Sequence, residues 1–279
     1  MELMFITNDP QIAQLAEKAG IDRIFIDLEI FGKKERQKNH NTVISEHSLD
    51  DIVKVRKMLK TSKLMVRINP INERSKDEID EVIKRDPDII MLPMFTTPEE
   101  VRLFISYVNK KASTCLLLET PQALVRLDEI LAIEGIDEIH VGLNDLHLGL
   151  GLDFMFELLS GGMVEYIANK VTAKGIRFGF GGVSRIDSGV LSANLILSEH
   201  YRLGSEMVIL SREFHGQAKS LSELQHNIDL ESEIKKIRTY ENKLKLYTDC
   251  EFNENKQRVK EMVRQIVILK EKSKKKTVS

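Results

Sequence analysis

Short runs of Ile, Val, Leu and Phe recur along the chain, and stretches with apolar residues three and four positions apart separate them. The runs predict strands near Leu3–Thr7, Arg23–Leu28, Leu64–Asn69, Asp88–Met94, Thr114–Glu119, Glu138–Leu143, Arg177–Gly182 and Met207–Arg212. The intervening spacing predicts helices over Pro10–Lys18, Leu49–Leu59, Lys76–Lys84, Glu99–Lys110, Pro121–Ile133, Met163–Ala173 and Leu191–Arg202. In Glu99–Lys110, for example, Val101, Phe104, Ile105 and Val108 share one face. Thr97-Pro98-Glu99-Glu100 opens that helix with a hydroxyl cap, a proline in the first turn and acids facing the dipole. The strands are nearly continuous apolar runs, as expected when helices cover both faces of a parallel sheet.

Eight strands alternating with helices predict a (β/α)8 TIM barrel over residues 1–249. A doubly wound open sheet is the alternative, but the first strand runs into Asn8-Asp9-Pro10 and not into a glycine-rich turn. Residues 250–279 differ in character. Asn253–Lys272 predicts a polar helix with an apolar stripe at Val259, Met262, Val263 and Ile266, followed by lysines up to Lys276. It reads as a docking helix with a solvated tail, or as an arm joining subunits.

Charge narrows the function classes. Lys+Arg 41 against Asp+Glu 43 leaves a net charge of -2, which argues against a nucleic-acid partner held through phosphate neutralisation. No apolar run reaches the roughly 20 residues of a membrane helix, and no basic and then apolar leader is visible. Cys115 and Cys250 are too few for a disulfide scaffold or a thiolate metal cage. The expectation is a soluble, cytoplasmic chain with no membrane or nucleic-acid partner.

In a barrel, functional groups gather at the C-terminal ends of strands, so polar residues there carry the information. Asp27 and Glu29 end the second strand, Arg67 and Asn69 the third, Glu119 and Thr120 the fifth, and Gly142-Leu143-Asn144-Asp145 the sixth. A charge in an apolar strand is expensive unless paired or metal-bound. Glu119 and Asp145 close adjacent strands, and two carboxylates with open positions suit Mg²⁺ or Mn²⁺. A substrate carboxylate and neighbouring carbonyl would fill those positions, with Arg67 neutralising the oxyanion that forms beside them. A ring of ion pairs at the barrel rim is the competing reading.

Other features carry weaker signals. Gly179–Arg185 and Ser211-Arg212 follow the last two strands, where barrels often hold phosphate, or else mark tight turns with rim ion pairs. Phe31–Ser48, with Lys33, Lys34, Arg36, Lys38, His40 and His47, suits a basic lid or a solvated loop. Cys115 reads as core, and Met91, Met94, Met155 and Met163 as packing. His140 and His147 flank Asp145 and could support it from behind.

Asp27-Leu28-Glu29, Val66-Arg67-Ile68-Asn69, Glu119-Thr120-Pro121-Gln122-Ala123 and Gly142-Leu143-Asn144-Asp145-Leu146, in this order, resemble the HpcH/HpaI aldolase and citrate lyase β-subunit family. This family is a branch of the phosphoenolpyruvate/pyruvate barrel superfamily, and the resemblance runs from about Ala19 to Phe214. It implies a divalent metal on Glu119 and Asp145, with Arg67 at the substrate oxyanion. Amides around Gly142–Asp145 would receive a substrate carboxylate, which makes Thr120, Gly142 and Asn144 the further substrate contacts. The implied reaction makes or breaks a carbon–carbon bond beside an enolate of a small 2-oxo acid or an acyl-CoA thioester. The substrate is then a small anionic metabolite, CoA-linked or not. Exchange of C-terminal helices between subunits, a habit of the family, implies a homo-oligomer. Ile30 departs from the pattern, since pyruvate aldolases place a proton-moving histidine there and citrate-lyase-like members an acid. His47 is the candidate to replace it, and Asp27 and Glu29 would order the outer shell of the ion. The alternatives are a barrel that binds a metabolite without turnover, and phosphoenolpyruvate-type group transfer.

Overall fold

The structure, a computed structural model, describes residues 1–31, 47–216, 218 and 220–278. Eight parallel strands pair in chain order: β1 (Glu2–Ile6), β2 (Arg23–Asp27), β3 (Lys63–Arg67), β4 (Ile89–Leu92), β5 (Ser113–Leu118), β6 (Glu138–Val141), β7 (Arg177–Val183) and β8 (Met207–Leu210). β8 pairs back onto β1 and closes the barrel. Every predicted strand is present, and the expected (β/α)8 barrel is the fold.

Alternation along the strands sends side chains to two destinations. Ile24, Ile26, Leu64, Val66, Ile90, Leu92, Leu116 and Leu118 face outward into the layer shared with the helices. Met4, Phe25, Met65, Ile89, Met91, Cys115, Leu117 and Met207 face inward as a separate cluster. Cys115 is fully buried there. Glu2, Arg23, Glu138 and Arg177 are the first residues of their strands, so parallel pairing gathers them at the N-terminal mouth. Arg23 donates to Glu138 at 2.6 and 2.7 Å and also pairs with Glu2. Arg177 reaches Glu138, Glu206 and Glu2, and Lys63 lies 3.6 Å from Glu2. By the same logic Asp27 and Arg67, the last residues of β2 and β3, lie at the opposite mouth.

The helices around the strands are α1 (Pro10–Lys18), α2 (Leu49–Arg56), α3 (Ser75–Ile83), α4 (Pro98–Val108), α5 (Pro121–Val125) and α6 (Leu127–Leu131). They continue with α7 (Leu143–Gly149), α8 (Glu157–Ser160), α9 (Met163–Thr172), α10 (Ala193–Arg202), α11 (Leu221–Asn227), α12 (Leu230–Leu244) and α13 (Asp249–Val278). The single helix expected over Pro121–Ile133 divides at Arg126, whose backbone leaves helical geometry at φ -97° and ψ 17°. α11 and α12 were not expected. α12 buries Leu230, Ile234, Ile237 and Leu244 on one face, and Asp229 caps its start by accepting from the Ser232 amide.

α13 starts before the expected Asn253 and lies against α10 and α8 of its own barrel. Val259 and Val263 are buried in that seam. Asn255 donates to the Ser198 hydroxyl at 3.0 Å, and Lys256 pairs with Glu165 at 2.7 Å. Of Phe31–Ser48, residues 32–46 lie outside the described residues. Among the described residues no helix is long and apolar enough to cross a membrane.

Candidate active site

Register sets the first part of the site. Asp27 on β2 is the direct partner of Arg67 on β3, so the two side chains leave the barrel together. Arg67 donates from Nε and Nη2 to the two Asp27 oxygens, both at 2.8 Å, in a bidentate fork. Glu29 stands 3.3 Å from the same Nη2, and the Phe25 ring lies 5.6 Å from the guanidinium carbon. These carboxylates hold Arg67 firmly protonated. No described residue accepts from its Nη1.

The exit of β2 is tied down around this pair. The Asp27 amide donates to His47 Nδ1 at 2.9 Å, which in the neutral ring leaves the proton on Nε2. The Ile30 and Phe31 amides donate to Asn69 Oδ1 at 2.9 and 3.2 Å, and Asn69 Nδ2 donates to Glu78 at 2.8 Å. Asn69 therefore fixes the chain where the missing proton-moving residue would stand; Ile30 itself is exposed.

Glu119 follows β5 and Gly142 follows the neighbouring β6. A Cβ on Gly142 would stand 2.6 Å from Glu119 Oε2, so only glycine leaves room for the carboxylate. The Met94 amide donates to Glu119 Oε1 at 3.2 Å, and Met94 takes a left-handed φ of 53° to do so. Burial pushes the Glu119 carboxyl well above the usual carboxylate range; Arg67 opposes the shift, while Asp145 and Glu29 add to it. Asp145 sits in the first turn of α7, which begins directly after Gly142.

Glu119 and Asp145 share the wall of a cavity of about 400 Å³ between the ends of β4, β5 and β6. Thr120 lines it too, but its hydroxyl donates to the Phe95 carbonyl at 2.7 Å and accepts from the Ala123 amide as the cap of α5. The Gly142 amide is likewise taken, by the Leu118 carbonyl at 2.9 Å, and Asn144 is exposed. Among the described residues, Asp27, Glu29, Glu119 and Asp145 gather at this mouth with the Arg67 guanidinium, which Asp27 engages. Hard, negative oxygen donors of this kind fit a divalent cation such as Mg²⁺ or Mn²⁺. Among the described residues no three His, Cys, Asp or Glu converge as a closed cage. Two protein carboxylates would leave the remaining positions open to water or substrate.

The other candidates fall elsewhere. Buried His140 points Nε2 at the Gly181 carbonyl, 3.0 Å away, and His147 points Nδ1 at the Leu143 carbonyl, 3.2 Å away. Burial pushes the His140 ring down to about 4. β7 carries a bulge between Gly179 and Gly182. The Ser184 hydroxyl donates to Ser188 O, and the Ser188 hydroxyl to Glu213, which stitches together the loops after β7 and β8. Neither Arg185 nor Arg212 lines the cavity. Met94, expected as packing, is instead part of the site wall, with Thr96, Gln122, Leu148 and Gly149. The one sequence signal for these residues is their place just beyond strands β4, β5 and β6.

A family model described as HpcH/HpaI aldolase/citrate lyase matches residues 2–180. A search of curated proteins finds no match. Among solved structures, the chain is similar to an HpcH/HpaI aldolase from Desulfitobacterium hafniense DCB-2, at 15% identity and a TM-score of 0.58, covering 89% of this chain and 94% of that one. An HpcH/HpaI aldolase/citrate lyase family protein from Burkholderia cenocepacia J2315 gives 13% identity and a TM-score of 0.58 over 88% and 94%. The citrate synthase SbnG gives 17% and 0.58 over 76% and 86%. At such identities these neighbours speak for the barrel alone. The family match runs from β1 into β7 and takes in every acid and the arginine of the site, and the chain belongs to the HpcH/HpaI aldolase/citrate lyase family.

Proposed function

We propose that the chain is a Mg²⁺- or Mn²⁺-dependent carbon–carbon lyase that works through the enolate of a small 2-oxo acid or an acyl-CoA thioester. The observation that supports this reading is Glu119, a buried carboxylate that shares a cavity wall with Asp145 at the C-terminal mouth of the barrel. A divalent cation held by Glu119 and Asp145 would polarise the carbonyl and carboxylate oxygens of the substrate.

The other roles belong to this chain's own side chains. Asp27 and Glu29 fix the plane of the Arg67 guanidinium, so that Nη1 can donate to the oxyanion that forms as the carbon–carbon bond breaks. In cleavage a proton leaves the hydroxyl, the bonding electron pair becomes the enolate, and a proton returns to the enolate carbon. His47, held at the end of β2 by the Asp27 amide on its Nδ1, is the candidate for that last step. The substrate is a small anionic metabolite and the working assembly is a homo-oligomer.

Proton exchange at the pyruvate methyl group in D₂O, followed by NMR with Mg²⁺, Mn²⁺ or EDTA, tests the reading without knowledge of the aldehyde partner. Exchange should require metal. It should fall at least about 100-fold in Glu119→Gln and Asp145→Asn with the circular dichroism spectrum unchanged. Full activity in either variant would overturn the metal assignment. Absence of exchange would turn attention to acyl-CoA substrates, and then to a metabolite-binding barrel without turnover, the reading favoured by Ile30 at the position of the proton-moving residue.

A further inference from the structure

The turn that leaves β2 has its backbone amides from Leu28 to Phe31 all occupied. The Leu28 amide donates to the Arg67 carbonyl at 2.9 Å. The Glu29 amide donates to Asp27 Oδ1 at 3.2 Å, and the Ile30 and Phe31 amides converge on Asn69 Oδ1. Glu29, 3.3 Å from Arg67 Nη2, hangs from the middle of this run. Two side-chain oxygens, one from Asp27 and one from Asn69, therefore set its place beside the guanidinium.

The oxygen of Asn69 faces β2 for a reason that lies outside the site. Asn69 Nδ2 and the Asn69 backbone amide both donate to Glu78 Oε1, at 2.8 and 3.2 Å. A carboxylate accepts from them, and the Ile30 and Phe31 amides can only donate, so the Asn69 side chain has one workable polarity. Turned over, its NH₂ would face two N–H groups and its oxygen a carboxylate. Asn69 is buried, so such a mismatch would go without water to relieve it.

Local structure brings Glu78 to this place. Asn72 Oδ1 accepts from the Arg74 amide, Asn72 Nδ2 donates to the Pro70 carbonyl, and the Asn72 amide donates to Ser75 Oγ, all at 2.8 Å. That knot starts α3 at buried Ser75 and puts Glu78 in its first turn. Burial pushes the Glu78 carboxyl above its usual range, and the two Asn69 donors oppose the shift.

We infer that Glu78 and Asn69 are a pair of positioning residues for the reaction. Glu78 fixes the polarity of the Asn69 amide, and Asn69 holds the turn that keeps Glu29 on Arg67. Both act through the turn and not on the reacting atoms. Their effect on turnover rests on the enolate reading proposed above, whereas the clamp itself does not.

Two readouts on the full chain keep these parts distinct: amide hydrogen exchange resolved to Ile30 and Phe31, and metal-dependent proton exchange at the pyruvate methyl group. Glu78→Ala should speed amide exchange at both positions at least about tenfold. It should lower kcat for methyl exchange about tenfold with KM within about twofold. Glu78→Gln, which keeps an acceptor for Asn69, should match the wild type. Asn69→Asp should behave like Glu78→Ala, because it sets two carboxylates face to face. Combining Asn69→Asp with Glu78→Gln should restore protection and kcat, since the glutamine amide then donates to the aspartate. Wild-type protection in Glu78→Ala would overturn the clamp, as would a double variant no better than Asn69→Asp. Lost protection at an unchanged melting temperature with kcat unchanged would overturn the positioning role and leave the lyase reading standing. Absence of methyl exchange in the wild type would count against the pyruvate enolate, and amide protection would then decide the clamp alone.

Discussion

At the scale of single residues, the Glu119 carboxyl titrates above its unfolded value because burial disfavours its charge, a push that Asp145 and Glu29 reinforce. For an acid raised in this way, the native state loses stability as pH climbs above the unfolded pKa, and the loss is complete above the folded one. Without metal at pH 8, Glu119→Gln should therefore melt higher than the wild type, by about 2 °C or more for each kcal/mol relieved. Saturating Mn²⁺ should invert the order, since a ligand at 100 times its Kd adds about 2.7 kcal/mol to the wild type alone. Thermal melts with Mn²⁺ and with EDTA check both signs. His140 gives the opposite pH signature. Its ring is held down to about 4 from 6.5 mainly by burial, so it contributes stability above pH 6.5 that disappears as pH falls towards 4. The shift corresponds to about 3 kcal/mol. Urea unfolding of His140→Leu between pH 7 and 4 should lose that part of the slope, while buried His200, also pushed well down, keeps its own.

Elements differ in how plainly the chain announces them. The barrel strands were legible because each is a compact apolar run ending in turn residues, and the helices facing them carry ordinary amphipathic spacing. α12 was not, because Leu230, Ile234 and Ile237 are embedded among glutamates and lysines, and the eight strands already completed a closed fold without it. The pairing of Asp27 with Arg67 could be anticipated, since both end adjacent strands. The role of Met94 could not: an apolar side chain gives no sign that its backbone turns left-handed to bring an amide to Glu119. Leu148 was equally silent, as a leucine in a short helix is ordinary. α13 supplies a test at this scale. Its seam rests on Val259 and Val263, so replacing both with serine should cost about 2–4 kcal/mol in denaturant unfolding. Exposed Lys270, whose ammonium meets the Asp153 carbonyl and lies over the Phe154 ring, should change stability by less than about 1 kcal/mol when replaced by alanine.

For the whole molecule, the barrel axis is a stack of three tiers: an ionic plug at the N-terminal mouth, a sulfur-rich apolar middle with Met4, Met65, Met91 and Met207, and the acidic site above. The plug is the costly tier, because Arg23 has no exposed surface. Arg23→Met would leave buried Glu138 with Arg177 alone and should destabilise the fold by about 3 kcal/mol, whereas Arg23→Met combined with Glu138→Gln should recover part of the loss. A double-mutant cycle in guanidinium chloride measures the difference.

Electrically, the plug is a balanced plate. Lys63, Arg23 and Arg177 offset Glu2, Glu138 and Glu206. A medium of thioethers and methylenes transmits a field far better than water does, so the middle tier cannot shield the site from whatever lies beneath it. What spares the site is cancellation at the source. A single uncompensated charge at the bottom of the barrel would act as a bias voltage on the acids at the top, altering how tightly they hold a cation without touching any of them.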